Sequence, residues 1–270
     1  MVDAEQLSGI VARILAPNPS MMTLAGTNTY LVGTDVLAAI DPGPDVPEHL
    51  DAILAAVAAR GTLAVSLVTH HHDDHLPAAR RLRERLGVPI AGHADLPGVD
   101  RPLHDGQRTE LSGATLAALH TPGHTADHVC YLLEQEGALF TGDLIAGTGT
   151  VVVGEGRADL ARYLGSLDRI EQVGARTIYP GHGPIVADPG AKIREYRDHR
   201  LERERQILAE LASGERSVSE IVTSLYAAVP VALHPMAARN VRSHLWKLEA
   251  ERRVEADGDR WRAVAANEAT

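Results

Sequence analysis

Apolar runs of strand length alternate with stretches of helical periodicity along most of the chain, the pattern of a layered α/β domain. Thr29–Val32 and Val36–Ile40 flank Gly33-Thr34-Asp35 and predict a hairpin. Pro47 to Arg60 predicts a helix, with Leu50, Ile53, Leu54 and Val57 at helical spacing and Gly61 as its stop. A buried strand from Leu63 to Thr69 then runs straight into His70. Pro77 opens a second helix, with Leu82 and Leu86 one turn apart and Gly87 at its end. The strand-then-polar-loop arrangement recurs twice. Leu116–Leu119 leads into His120-Thr121-Pro122-Gly123-His124, after which a hairpin, Val129–Leu133 with Ala138–Phe140, ends at Thr141-Gly142-Asp143. Thr177–Tyr179 runs into Pro180-Gly181-His182-Gly183.

The pattern changes near residue 191. Lys192 to Ala212 is a charged helical stretch broken by Ser213-Gly214. Ser217-Val218-Ser219-Glu220 fits a capping box, and Val218, Ile221, Val222 and Leu225 follow it as one apolar stripe. Ala237 to Glu251 predicts another helix, and Asp257-Gly258 a hairpin turn between Val254 and Trp261. Helix, helix and hairpin together resemble a winged helix. The expected division is therefore a larger unit over residues 1–190 and a helical linker with a small winged-helix-like unit over 191–270.

Composition narrows the classes. At 270 residues, 44% hydrophobic and 23% charged, the chain is an ordinary globular one able to bury a core. No run approaches eighteen apolar residues and the N-terminus has no secretory pattern, so the expected location is cytoplasmic, without a membrane partner. Residues 211–270 carry eight basic and eight acidic side chains, so the net charge of −10 resides entirely in residues 1–210. Such a body gives phosphate backbones no bulk attraction, and with 3% aromatics few rings are present to stack on bases. The single cysteine, Cys130, excludes Cys-rich zinc sites and reads as an inert core residue. Any metal must be held by His and carboxylates.

Fourteen histidines are the unusual feature. In His70-His71-His72-Asp73-Asp74-His75, residues two apart on a strand end face the same side, so His70 and His72 can share one ion while His71 points away. As the backbone turns toward the helix, Asp74 and His75 can address a second ion, leaving His71 and Asp73 as bystanders. Imidazoles and carboxylates crowded in this way compete or repel unless a cation joins them. His124, Asp143 and His182 each follow a Gly-containing turn that lets backbone approach closely. All lie at strand C-terminal ends, where α/β scaffolds collect functional residues. His128 reads as an outer partner of a ligand, and Asp41-Pro42-Gly43 either as a support for the metal loop or as a plain turn. Thr148-Gly149-Thr150 offers hydroxyls and backbone N–H groups to a substrate or is simply a loop. His49, His93, His104 and His120 read as structural or surface residues, and His199-Arg200 either as surface charge or as a substrate contact.

This set resembles the metallo-β-lactamase superfamily, whose H-x-H-x-D-H signature is matched by His70, His72, Asp74 and His75, followed in order by His124, Asp143 and His182. The resemblance implies a four-layer αββα sandwich in which His70, His72 and His124 hold one metal, Asp74, His75 and His182 a second, and Asp143 bridges both. It implies a hydrolase whose two cations share a water and lower its pKa from 15.7 to about 7, the resulting bridging hydroxide being the nucleophile and Asp74 the catalytic proton acceptor. Two zinc ions (Zn2+) are expected; iron and manganese accept the same ligands. A narrower resemblance, carried by Asn18-Pro19-Ser20, Gly26 to Gly33, Tyr179 to Pro184, His199-Arg200 with Arg203-Glu204, and Asn240 to Leu248, is to the β-lactamase-like protein 2 group. That group has a C-terminal winged-helix-like domain, and it implies endoribonuclease activity on single-stranded RNA, for which Arg239, Arg242, Lys247, Arg252 and Arg253 would form a basic stripe. Two alternatives stand beside it: hydrolysis of a small-molecule thioester, ester or lactone, as in glyoxalase II-like relatives, and a DNA-binding regulator carrying a vestigial enzyme. The small unit either reads nucleic acid, packs on the catalytic unit or mediates a homodimer.

Overall fold

The structure, a computed structural model, describes residues 4–154 and 156–264. Seven strands form the first sheet in chain order: β1 (Glu5–Gln6), β2 (Val11–Leu15), β3 (Asn28–Val32), β4 (Val36–Ile40), β5 (Thr62–Leu67), β6 (Ile90–Gly92) and β7 (Arg101–Pro102). Pairing is antiparallel from β1 to β4 and parallel from β4 to β7. The parallel connections from β4 to β6 are made by α1 (Pro47–Arg60) and α2 (Pro77–Leu86), each with Pro in its first turn and Gly at its end. The second sheet contains β8 (Arg108–Leu111), β9 (Ala114–His120), β10 (Val129–Leu133), β11 (Ala138–Gly142) and β12 (Thr177–Pro180). Its strands run antiparallel except for the parallel β11–β12 pair, which α3 (Asp159–Val173) connects.

Alternation along the strands explains the layers. In β3 and β4, Tyr30, Val32, Ala38 and Ile40 meet Val129, Tyr131 and Phe140 of the second sheet in a common core. The residues between them, Leu31, Leu37 and Ala39, pack instead on Leu50 and Ile53 of α1 and Leu82 of α2. In the second sheet Cys130, Leu139 and Ile178 face outward onto Leu160, Tyr163, Leu167 and Ile170 of α3 and Ile193 and Tyr196 of the next helix, α4 (Pro189–Ala212). Both sheet faces are covered, so the strands read as continuous apolar runs. The result is the αββα sandwich, with loops from both sheets gathered at one edge.

α4 serves two cores. Its first half lies on the sandwich, while Ile207 and Leu211 pack with α5 (Val218–Leu225), α6 (His234–Ala250) and a small sheet made from β13 (Arg216–Ser217), β14 (Val254–Asp257) and β15 (Arg260–Ala263). The capping box at Ser217 is formed in both directions: the Ser217 hydroxyl accepts from Glu220 N, and the Glu220 carboxylate accepts from Ser217 N. Buried polar contacts fix this unit on the sandwich. Arg200, 3% exposed, donates to Val151 O and to Asn240 Oδ1 of α6, and Ser243 donates to Gly154 O. Among the described residues, no helix is long and apolar enough to cross a membrane.

Candidate metal centre

The β5 strand ends at Leu67, and the backbone beyond it turns into α2 through bonds from the His75 and Leu76 amides to His72 O. This turn brings His70, His72, Asp74 and His75 to one edge of the sandwich. His124 arrives on the β9–β10 loop, Asp143 directly after β11, and His182 shortly after β12. Two glycines make the approach feasible. At Gly123 φ is +140°, and a Cβ would lie 2.4 Å from Tyr163 Cα; at Gly181 a Cβ would lie 2.8 Å from His75 Cε1 and 3.0 Å from Asp143 Oδ1.

The side chains converge as two groups, His70, His72, His124 and Asp143 in one, Asp74, His75 and His182 in the other, with donor atoms inside each group within 4.8 Å of one another. In the first group His72 Nδ1 is 2.9 Å from His70 Nε2 and 3.1 Å from His124 Nε2. In the second, His75 Nε2 is 3.3 Å from His182 Nε2, and Asp74 Oδ2 is 3.1 Å from the same His182 nitrogen. Asp143 stands between the groups: Oδ2 faces His124 Nε2 at 3.5 Å and His70 Nε2 at 3.9 Å, and Oδ1 faces His182 Nε2 at 3.3 Å and His75 Nε2 at 3.5 Å.

The electrostatics of the groups differ. Burial pulls the His70, His72 and His124 imidazoles down, His72 to about 4, so they are neutral with lone pairs available. Burial acts in the same direction on His75 and His182, but the Asp41 and Asp143 charges raise His75, and hydrogen bonding to Asp143 and Asp74 raises His182 to about 9. For Asp143 burial works upward, and the charges of His75 and His182 facing its carboxylate outweigh it, holding the carboxyl well below the usual range. Asp143 Oδ1 is buried without a hydrogen-bond partner of good geometry. Five imidazoles and two carboxylates aimed at shared points, with an orphaned carboxylate oxygen among them, fit divalent cations.

Outer contacts lock the rings. Asp41, 2% exposed, accepts from Thr69 N (2.7 Å) and Thr69 Oγ1 (2.8 Å) and lies 2.9 Å from His75 Nδ1. The choice that the sequence leaves open for Asp41 is thus settled as support for the His75 ring. His124 Nδ1 donates to Val152 O, which turns its Nε2 toward the cluster. His128 is fully buried, with Nδ1 2.9 Å from Thr121 Oγ1 and its ring 5.3 Å from that of His70. His71 stays outside both donor groups, as the sequence reading expects; its Nδ1 is 2.9 Å from Asp127 Oδ1 and it lines the cavity above the cluster. Asp127 gives no signal in sequence beyond its place between His124 and His128 in the β9–β10 loop. Of the expected basic stripe, Lys247 and Arg253 are both ion-paired to Glu204 and Glu251.

Residues 22–182 match the family model described as the metallo-β-lactamase superfamily. The chain belongs to the metallo-β-lactamase superfamily. Residues 217–261 match the β-lactamase associated winged helix domain. The superfamily member is 39% identical over 256 residues to a β-lactamase-like protein 2 homolog of Caenorhabditis elegans, spanning 90% of this chain and 85% of the relative. It is 37% identical to an atrochrysone carboxyl ACP thioesterase of Aspergillus chevalieri, spanning 93% and 85% respectively. Among solved structures, a metallo-β-lactamase family protein from Thermus thermophilus superimposes with a TM-score of 0.82 at 24% identity, over 96% of this chain and 100% of that one. These matches give a superfamily hydrolase fold with a His/Asp cluster able to bind metal ions and a C-terminal winged-helix domain.

Proposed function

We propose that the chain is a dinuclear metal-dependent hydrolase of acyl thioesters and esters. His70, His72 and His124 would hold one cation and Asp74, His75 and His182 the other, with Asp143 placed to reach both. The observation that carries the dinuclear reading is the Asp143 carboxylate, each of whose oxygens faces a different group of ligands. When bound, divalent cations supply Lewis acidity that acidifies a water and offsets charge on a carbonyl oxygen; zinc suits the donor set best.

The chain's own residues then divide the work. Asp74, with its side chain 26% exposed, borders the cavity, and its Oδ2 faces His182. Asp74 Oδ1 takes the proton of the water as the water oxygen bonds to the acyl carbon. When the carbon–sulfur or carbon–oxygen bond breaks, the same oxygen returns the proton to the departing thiolate or alkoxide, giving an acid and a thiol or alcohol. His71 and Thr125 line the same cavity beside the reacting centre.

The polar cavity over the cluster is bordered by Asp74, Asp143 and Asp159, and among the described residues by one arginine, Arg239. Two divalent cations would more than offset Asp74 and Asp143, and Asp159 stands against Arg239, so what disfavours RNA is the internal pairing of Lys247 and Arg253, which removes part of the stripe that RNA would need. Relatedness to a protein named as a thioesterase supports the acyl reading. Single-stranded RNA is the second reading, supported by likeness to the β-lactamase-like protein 2 homologs. DNA reading has least support, because α6, the second helix of the small unit, is packed on the sandwich through Ser243 and through the Arg157–Glu249 pair. The test is zinc-loaded protein assayed side by side on decanoyl-N-acetylcysteamine and on a labelled single-stranded RNA. Thioester hydrolysis that falls ~10²–10⁴-fold in Asp74→Asn, with the RNA intact, is expected; RNA cleavage with the thioester untouched overturns the proposal.

A further inference from the structure

Two cavities of about 540 Å³ each share His124, Asp143 and His182 as lining, together with Met22, Val152, Val153 and Met236. One is the polar cavity already described. The other is walled by Leu24 and Val151 of the sandwich and by Val229, Leu233 and Ala237 of the winged-helix unit. Polar groups at its far wall are engaged with each other: Asn240 accepts from Arg200 Nη1 through Oδ1 and donates to the Tyr226 hydroxyl through Nδ2. Asn240 therefore turns its hydrogen bonds into the wall, and the lining is mostly apolar, Thr148 and Thr150 adding two hydroxyls to it. A volume of this size lies within the ~300–1,000 Å³ of small-molecule sites.

The position of the junction decides what each arm takes. A scissile carbonyl divides an ester into an acyl part and a leaving group, and here the His/Asp cluster lies where an apolar arm and a polar arm join. We infer that the apolar arm is an acyl-chain site, which takes a medium-length hydrocarbon chain while a polar leaving group lies in the arm bordered by His71, Asp159 and Arg239. This inference rests on the acyl-hydrolase reading. It gives the winged-helix unit a role in substrate selection, since three residues of that unit wall the arm. Every methylene added to the chain, until the arm is full, raises kcat/KM about fourfold.

The test has two readouts. Metal-free protein is titrated with N-phenyl-1-naphthylamine, a neutral apolar fluorophore that needs no metal, and zinc-loaded protein is assayed on N-acetylcysteamine thioesters from acetyl to dodecanoyl. Saturable fluorescence enhancement is expected, weakened at least tenfold in both Leu233→Asp, which places a charge in the arm, and Val229→Trp, which fills it. Val36→Asp, at a 41% exposed position on β4, leaves the enhancement unchanged. Equal dye binding by wild type, Leu233→Asp and Val229→Trp, with all three folded by circular dichroism, overturns the inference. So does thioester turnover with kcat/KM indifferent to chain length, which leaves the acyl-hydrolase reading standing. Mutation-sensitive dye binding without turnover of any thioester has the opposite meaning: the apolar site stands and the acyl-hydrolase reading falls.

Discussion

Replacing Asp41 by Asn changes one oxygen to an amide nitrogen at a residue that touches no substrate. Asp41 sits at φ +47°, a left-handed conformation that Asn tolerates well, so the backbone contributes little to the outcome. Oδ1 still accepts from Thr69 N at 2.7 Å. The new NH2 faces Thr69 Oγ1 and His75 Nδ1, where the carboxylate stood at 2.8 and 2.9 Å. The Thr69 hydroxyl can turn to accept, but at His75 donor now opposes donor. Either the His75 ring gives up that contact, or its proton moves to Nε2 and points at His182 and Asp143, where it blocks the lone pair. A buried donor left unpaired costs ~1–3 kcal/mol, and loss of such an outer carboxylate lowers metal affinity ~10–100-fold. The assay is chelator competition on wild type and Asp41→Asn, with His75 tautomers followed by nitrogen NMR. The site built on Asp74, His75 and His182 is expected to lose affinity by that factor while the site built on His70, His72 and His124 is retained. Two equivalents bound with wild-type affinity and an unchanged His75 tautomer would refute the reasoning.

Further outcomes follow from burial and backbone geometry. His49 is fully buried, and burial lowers its imidazole to about 4 from 6.5. The unfolded chain thus takes up the proton first as pH falls, and stability is lost between pH 6.5 and about 4, by roughly 3 kcal/mol for this group; urea titrations across that window should show a flatter profile for His49→Gln, and identical slopes would remove the assignment. Gly123→Ala places a Cβ 2.4 Å from Tyr163 Cα at φ +140°, so a loss of at least ~2 kcal/mol and weaker binding at the His124 site are expected from stability and metal titrations. Gly165, inside α3 with open space around it, is the contrast: Gly165→Ala should be neutral or stabilise by ~0.5–1 kcal/mol, as thermal melts of the pair will show.

What is readable from the chain is local. Strand ends followed by Gly turns announce His124, Asp143 and His182, and paired spacing announces His70, His72, Asp74 and His75, because turn chemistry and strand periodicity act over a few residues. The helices at Pro47, Pro77 and Ser217 carry start signals in sequence. α3 does not, although Leu160, Tyr163, Leu167 and Ile170 repeat at helical spacing: its N-cap is Ala158, without a capping side chain, and it follows a Gly-rich loop. The strands β6 and β7, three and two residues long, are too short to show alternation. Asp41 reads equally well as a turn, and only the pairing of β4 with β5 puts its carboxylate against Thr69 and His75. Leu233 and Met236 carry no signal as cavity residues, because what brings them near His124 is the docking of α6 on the sandwich.

The central claim is that seven side chains cage two neighbouring cations. Anomalous diffraction at the zinc edge from metal-loaded crystals tests it most directly. The account predicts two peaks ~3.5–4 Å apart, with Asp143 reaching both, His70, His72 and His124 around one, and Asp74, His75 and His182 around the other. A single peak, or peaks coordinated by other residues, would contradict it.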